Sequence, residues 1–504
     1  MTTPVPLSTA TLTTLDPRVA IPGYDRSAIG IGIVHIGVGG FHRAHQAMYL
    51  DRLMNDGEAF EWGICGVGIL PGDAQMKEAL DAQDDLYTLI IKHSDGRLEP
   101  RVIGSIVQYL HAPANPEAVL ERLTEAATRI VSLTVTEGGY NIDPVTGQFD
   151  RNNPAVLQDA SGSSAPTTVF GFVVEALRRR RERGSEPFTV MCCDNLPGNG
   201  DLAKATFSAY AELVDPELGN WIRTAVAFPN SMVDRITPVT TDADRAALAE
   251  EFGVADRWPV VCEDFTQWVI EDDFPTGRPR WEKAGVQVVT NVEPYELMKL
   301  RLLNASHQAM CYAGYLSGYR FAHEVSSDPV FVEFLRGYMD YEATPTLPEI
   351  PDVDLDQYKH SLIHRFANPE VRDTLARLCA ESSDRIPKWL LPVIRENLAS
   401  GGEIRRSAAV VASWARYDEG VDEQGEPIVI VDRLRDELMM FARQQAENPL
   451  AFIENRAVFG DLVDQPAFRG AYLDALTSFH QVGARRTIEM LNASLRAAEP
   501  VSTD

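Results

Sequence analysis

IGIVHIGVGGFHRAHQ, residues Ile31 to Gln46, is the stretch that decides the fold. Its first six residues, apolar or small except for His35, read as a strand buried on both faces. Gly37 and Gly39 follow, then Gly40 and Phe41, and a helical pattern runs from His42 to Asn55. Strand, glycine turn and helix in that order suit a pyrophosphate. Gly37 permits the tight turn, and Gly39 lets the backbone approach phosphate oxygens at the helix N-terminus. Gly37, Gly39, Gly40 and Phe41 are therefore the candidate cofactor residues. The third glycine of the dinucleotide fingerprint is absent, because His42 stands there. A glycine-rich turn in some other α/β protein remains the competing reading.

Outward from this stretch, strand candidates alternate with helical patterns. They are Trp62 to Ile69, Tyr87 to Ile91, Val102 to Leu110, Ile130 to Thr136, Phe188 to Cys193 and Val286 to Thr290. Such alternation implies an α/β domain with a mostly parallel sheet covered by helices. Asp73 follows the second strand. A carboxylate there accepts hydrogen bonds from an adenosine ribose and repels a 2′-phosphate, which favours NAD over NADP. Its distance from the glycine turn exceeds the usual spacing of about 20 residues, so a surface turn aspartate stays open. The stretch Asn141 to Thr168, rich in Pro, Ser, Gly and Asn, reads as a surface excursion. Beyond about residue 290 strand signals fade, and helix-length patterns imply a mainly α-helical second domain. The expected division is 1–287 and 288–504, with a frayed C-terminus.

The 504 residues are too many for one ordinary core, and 45% hydrophobic content suits a globular chain. A formal net charge of −27 argues against nucleic acid or anionic membrane as a partner. The one basic run, Arg178 to Arg183, ends an apolar helical stretch, where cations complement the helix dipole. No secretory signal precedes Ala28, and the longest apolar run, Ala28 to Gly40, is too short to span a bilayer. The six cysteines form no CxxC pair and lie mostly in apolar stretches. A cytoplasmic protein with reduced thiols is expected. A monomer is the simplest expectation, although the sequence leaves the oligomeric state open.

The second informative stretch is NVEPYELMKLRLLNASH, Asn291 to His307. On a regular helix, at about 100° per residue, Glu296, Asn304 and His307 all fall within about 140° of Lys299. Buried lysines release protons readily and can deprotonate an alcohol. An amide such as Asn304 can stabilise the resulting oxyanion, His307 can orient a hydroxyl, and Glu296 can pass a proton to water. Leu303 lies among them, so a solvated helix face is the competing reading.

The glycine turn together with KLRLLNASH, TVTEGGY (Thr134 to Tyr140) and CDNLPGNG (Cys193 to Gly200) resembles the polyol-specific long-chain dehydrogenase/reductase family. The resemblance covers about Ile31 to Leu398. It implies a Rossmann-type N-terminal domain, a mainly α-helical C-terminal domain, NAD as cofactor and hydride transfer between a polyol and its keto form, D-mannitol and D-fructose being the expected pair. It further implies Lys299 as general base, Asn304 and Asn195 as oxyanion donors and His307 as substrate orienter. Asp234 matches a substrate-pocket aspartate, and further polyol contacts are expected from Arg377 to Lys388. There Arg385 stands where the family often has a lysine, and the two are not interchangeable. Sibling activities (arabinitol 4-dehydrogenase, fructuronate reductase) and a silent NAD-binding regulator are the alternatives. A zinc site at His42 and His45 lacks further ligands at recognisable spacing, so no metal is expected.

Overall fold

The computed structural model describes residues 3–143 and 147–496, and the fraying expected of the last few residues falls outside that range. The chain divides between Glu293 and Pro294 into two compact units.

The first unit is built on five strands, β1 (Ile31–Ile36), β2 (Gly63–Gly68), β3 (Ile106–His111), β4 (Ile130–Leu133) and β5 (Thr189–Cys192). They form one parallel sheet in the spatial order β3-β2-β1-β4-β5. Alternate side chains enter two separate cores. Val34, Ile36, Val67, Val131 and Val190 pack toward the helices Pro116–Thr124, Val169–Glu182 and Asn199–Val214. Ile33, Ile64, Ile106, Ile130 and Met191 pack toward the helix Gln46–Asn55. Burial of each such side chain stabilises by about 1.5–3 kcal/mol. Helices on both faces of a parallel sheet make the doubly wound, Rossmann-type arrangement, whose strand order reverses between β1 and β4.

Three details differ from the sequence reading. Val102 to Leu110 is not one strand. Leu98–Ile103 pairs antiparallel with Tyr87–Lys92, and Ile106–His111 belongs to the main sheet. The chain changes sheets because Gly104 N–H donates to buried Asp51 at 3.0 Å and Ser105 Oγ donates to Ala47 O at 2.7 Å. The helix read as His42 to Asn55 is two, Gly40–Ala44 and Gln46–Asn55. His45 breaks it at φ −124°, ψ −95°, with its ring Nε2 3.1 Å from Gln267 O. The Asn141 to Thr168 stretch contains the helix Pro154–Ala160. Buried Asp159 ties down its end by accepting the N–H groups of Thr167 and Thr168.

The second unit is helical, and its described residues hold no strand beyond two isolated bridges. Among the described residues no helix is long and apolar enough to cross a membrane. The helix Arg405–Tyr417 has no side-chain cap of its own. Glu342 supplies one, accepting Arg406 N–H at 2.7 Å and Ser407 N–H at 2.8 Å. Burial still pushes the Glu342 carboxyl up to about 7.

Candidate functional site

In the first unit the glycine turn leaves β1 at the point of reversal. Gly37 adopts φ +96°, and a Cβ on it would lie 2.1 Å from the carbonyl oxygen of Thr134. Only glycine fits both restrictions. Gly37 N–H donates to Val67 O at 3.1 Å, and Thr134 Oγ1 donates to Gly37 O at 2.7 Å. This bare, pinned backbone beside a helix start fits a dinucleotide pyrophosphate.

Behind the turn, His35 is fully buried, and burial pushes its imidazole down to about 3. A neutral ring carries one N–H. Placing it on Nε2 lets it donate to Gly37 O at 3.2 Å, while Nδ1 accepts from Ser132 Oγ at 2.8 Å. Ser132 Oγ lies 3.0 Å from the Gln46 amide oxygen, and the Gln46 nitrogen has no acceptor. Turning that amide makes Gln46 donate to Ser132 and completes a relay to the Gly37 carbonyl.

Asp73 closes the turn after β2, and its carboxylate accepts Leu70 N–H at 2.9 Å. A Cβ on Gly68 would meet the Asp73 Cβ at 2.5 Å, so glycine at the strand end lets the aspartate pack there. Phe41 stacks on His45, and His42 stacks on His35 with ring centroids 3.4 Å apart. His42 and His45 are thus packed among aromatic rings. Among the described residues, no three His, Cys, Asp or Glu side chains group as metal ligands.

The loops after β4 and β5 meet at Asp194, which the sequence reading passed over in favour of its neighbour. Its carboxylate accepts the N–H groups of Val135 and Thr136 and the hydroxyl of Tyr140. Asn195 beside it is exposed, and Asp234 ends the strand Ser231–Asp234 in a buried position. The strand is joined to the Asp194 loop by Asn199, whose Nδ2 donates to Asp194 O at 3.0 Å and Ser231 O at 2.7 Å.

In the second unit the regular helix expected from Pro294 onward to His307 is interrupted. Glu293–Met298 is α-helical, Lys299–Asn304 is a π-helical turn, and Ala305–Leu316 resumes the α-helix. Ala305 N–H donates to Leu300 O, five residues back. This winding brings residues five apart onto one face, so Lys299 and Asn304 stand together where an α-helix would splay them. Both are buried, at 6% and 5% exposure. The turn is braced by Arg301, paired with Glu396 through 2.8 and 2.6 Å contacts, and by Tyr338, whose hydroxyl donates to Arg301 O at 3.0 Å. Glu296 and His307 are half-buried, and the His307 ring lies 4.7 Å from that of Phe366.

The profile of the mannitol dehydrogenase Rossmann domain matches residues 31–283, and that of the mannitol dehydrogenase C-terminal domain matches residues 291–479. The chain belongs to the mannitol dehydrogenase family. It is 47% identical over 475 residues to a mannitol 2-dehydrogenase of Phaeosphaeria nodorum, covering 94% of this chain and 83% of that protein. A mannitol 2-dehydrogenase of Aspergillus fumigatus is 46% identical over 477 residues, covering 93% and 95%. Among solved structures, the ternary complex of Pseudomonas fluorescens mannitol 2-dehydrogenase with NAD and D-mannitol is similar at TM-score 0.85 and 44% identity, covering 98% of this chain and all of that one. A substrate-free D-sorbitol dehydrogenase is similar at TM-score 0.90 and 38% identity, covering 96% and 100%.

Within this member of the family, Arg377 and Arg385 are already engaged. Exposed Arg377 pairs with Asp373, Nε to Oδ1 at 2.6 Å. Arg385 donates to Arg377 O and Leu378 O, both at 3.1 Å, and lies over the Trp389 ring.

The buried, neutral His35 generates a pH test. Its folded pKa lies below the unfolded value near 6.5, so its contribution is present above about 6.5 and is lost as pH falls toward 3. The stability gap between wild type and His35→Gln is expected to shift against the wild type by about 1.4 kcal/mol per pH unit below that point. Urea unfolding midpoints of both proteins at several pH values between about 7 and 5 measure it; parallel profiles contradict a buried neutral ring.

Proposed function

We propose that the protein is an NAD-dependent oxidoreductase that interconverts D-mannitol and D-fructose without a metal, with Lys299 as general base. The observation that carries the reading is the π turn, which puts a buried amine and a buried amide on one helix face. Bound NAD⁺ supplies the hydride acceptor. Lys299 takes the hydroxyl proton, and Asn304 and Asn195 donate hydrogen bonds to the oxygen as it becomes a carbonyl. His307 orients the hydroxyl, and Glu296, about one turn before Lys299, hands the proton to water. Asp234 contacts the polyol chain, Arg377 and Arg385 being held instead by Asp373 and by the carbonyls of residues 377 and 378, while Gly37, Gly39, Gly40, Phe41 and Asp73 hold the cofactor. A cytoplasmic location is supported by six free, buried cysteines.

The named relatives and the solved complex with NAD and D-mannitol support this cofactor and polyol. The similarity to a D-sorbitol dehydrogenase supports a second reading, in which sorbitol is the preferred polyol. Assays of NAD⁺ reduction with mannitol, sorbitol, arabinitol and, in reverse, fructuronate separate the two. The highest kcat/KM is expected with mannitol.

Replacing Lys299 by Ala should lower kcat by roughly 10²–10⁴-fold, the usual worth of a general base, with the NADH dissociation constant nearly unchanged. Near-normal turnover would remove Lys299 from the mechanism. If the amine takes the place of a Lewis acid, exhaustive chelation leaves kcat untouched and elemental analysis finds no stoichiometric zinc. Activity lost on chelation and regained with zinc defeats that part of the reading. Asp73→Ala should narrow the preference for NAD over NADP, chiefly by improving kcat/KM for NADP, since the carboxylate no longer repels the 2′-phosphate. An unchanged ratio means that another residue reads the ribose.

A further inference from the structure

The residue before the proposed oxyanion donor Asn195 has no part in the reaction as read above. Asp194 is 7% exposed, and burial lifts its carboxyl above the usual carboxylate range against the donors that face it. A buried carboxylate is tolerated only when its lone pairs are met. Here Oδ2 accepts Val135 N–H at 3.0 Å and the Tyr140 hydroxyl at 2.7 Å, and Oδ1 accepts Thr136 N–H at 2.9 Å. One side chain from the loop after β5 thus holds two consecutive amides of the loop after β4.

Two features show what this arrangement maintains. Thr136 sits at φ +64°, ψ 170°, a region that β-branched residues avoid, and its bond to Asp194 helps keep it there. On its own loop, Asp194 O accepts Leu196 N–H at 2.9 Å, closing a three-residue turn with Asn195 at its centre. The same oxygen accepts Asn199 Nδ2 at 3.0 Å. The carbonyl therefore fixes the backbone of Asn195, and the carboxylate locks that turn onto the neighbouring loop.

We propose that Asp194 is a positioning residue for the reaction: by joining the two loops it holds the Asn195 amide at the angle an oxyanion donor needs, without itself touching substrate or cofactor. This role rests on the function proposed above. Oxyanion donors work through preorganisation, so a donor free to turn loses most of its effect.

Asp194→Asn exchanges one acceptor for an N–H donor, so either Thr136 or the Val135 and Tyr140 pair faces a donor. The kcat for polyol oxidation is expected to fall about 10–100-fold, approaching the loss of a whole oxyanion donor, with NADH affinity unchanged. The deciding measurement is a double-mutant cycle on kcat with Asn195→Ala. Asn195→Ala lowers kcat in the wild-type background and adds little to Asp194→Asn, because the amide is already misplaced. Thr136→Gly, which takes up positive φ unaided, restores part of the Asp194→Asn loss. Losses that multiply overturn the positioning role while leaving the proposed function standing. An Asn195→Ala enzyme with wild-type kcat overturns it as well, and Lys299→Ala then reports separately on the reaction. If Asp194→Asn does not fold, Tyr140→Phe removes the hydroxyl bond to the carboxylate at nearly constant volume and enters the same cycle. The same non-additivity is expected, smaller in size.

Discussion

The carbonyl oxygen of Thr134 occupies the space that a side chain at position 37 would need, and the carboxyl edge of the sheet is organised around that contact. Because residue 37 is glycine, the chain can leave β1 at positive φ while its N–H reaches Val67 at the end of β2. Thr134 returns the contact twice, donating its N–H to Ile36 O at 3.1 Å and its hydroxyl to Gly37 O at 2.7 Å. The ends of β2, β1 and β4 are thereby pinned together. Asp194 extends the linkage from β4 to β5. The glycine turn, the TVTEGGY loop and the loop carrying Asn195 are one hydrogen-bonded edge.

That edge is held by buried polar groups rather than by the abundant surface charge. His35, Asp194 and, in the second unit, Glu342 each have named partners for their ring nitrogens or carboxylate oxygens. Leaving one such group unpaired costs about 1–3 kcal/mol, more for a charge. The exposed ion pairs, such as Arg178 with Glu182 or Arg456 with Asp464, add little, because water screens both partners. The excess negative charge therefore says much about which partners are repelled and little about what holds the fold.

In the second unit the π turn, like the glycine turn of the first, sets side-chain placement by backbone geometry. One extra residue in the winding brings the amine and amide onto a common face, and the Arg301 fork to Glu396 with the Tyr338 bond braces the widened turn. Departures from α-helical winding tend to occur at functional sites, because regular winding would be the lower-energy choice elsewhere. Arg385 is another local departure, here of residue type. Its Nη1 donates to two carbonyls at the end of the helix Leu375–Leu378 while the planar guanidinium lies over the Trp389 ring, a stacking that an ammonium does not offer.

Strand, glycine turn, helix and the following β-branched runs made the Rossmann-type unit legible, because buried parallel strands need continuous apolar runs that few other structures share. The motifs also named the candidates: Gly37 as the residue that must take up positive φ, which it does, and Lys299, Asn304 and His307 through the family resemblance rather than through spacing alone. Other features were invisible in one dimension. Gly104 and Ser105 interrupt the run Val102 to Leu110, but a glycine in a strand pattern does not by itself tell a bulge from a change of sheet; Asp51 and Ala47, remote in sequence, turn the chain between sheets. No periodicity announces the π turn, since it is a difference of one residue per turn that packing against Tyr338 and Glu396 sustains. Asp194 looks like one more loop aspartate until folding brings Val135, Thr136 and Tyr140 to its two oxygens. The sequence by itself determined which groups are available and which segments are strands or helices, because those depend on neighbours along the chain. Only the tertiary structure decided which groups hold which, because a hydrogen bond to a buried carboxylate or carbonyl depends on segments brought together from far apart.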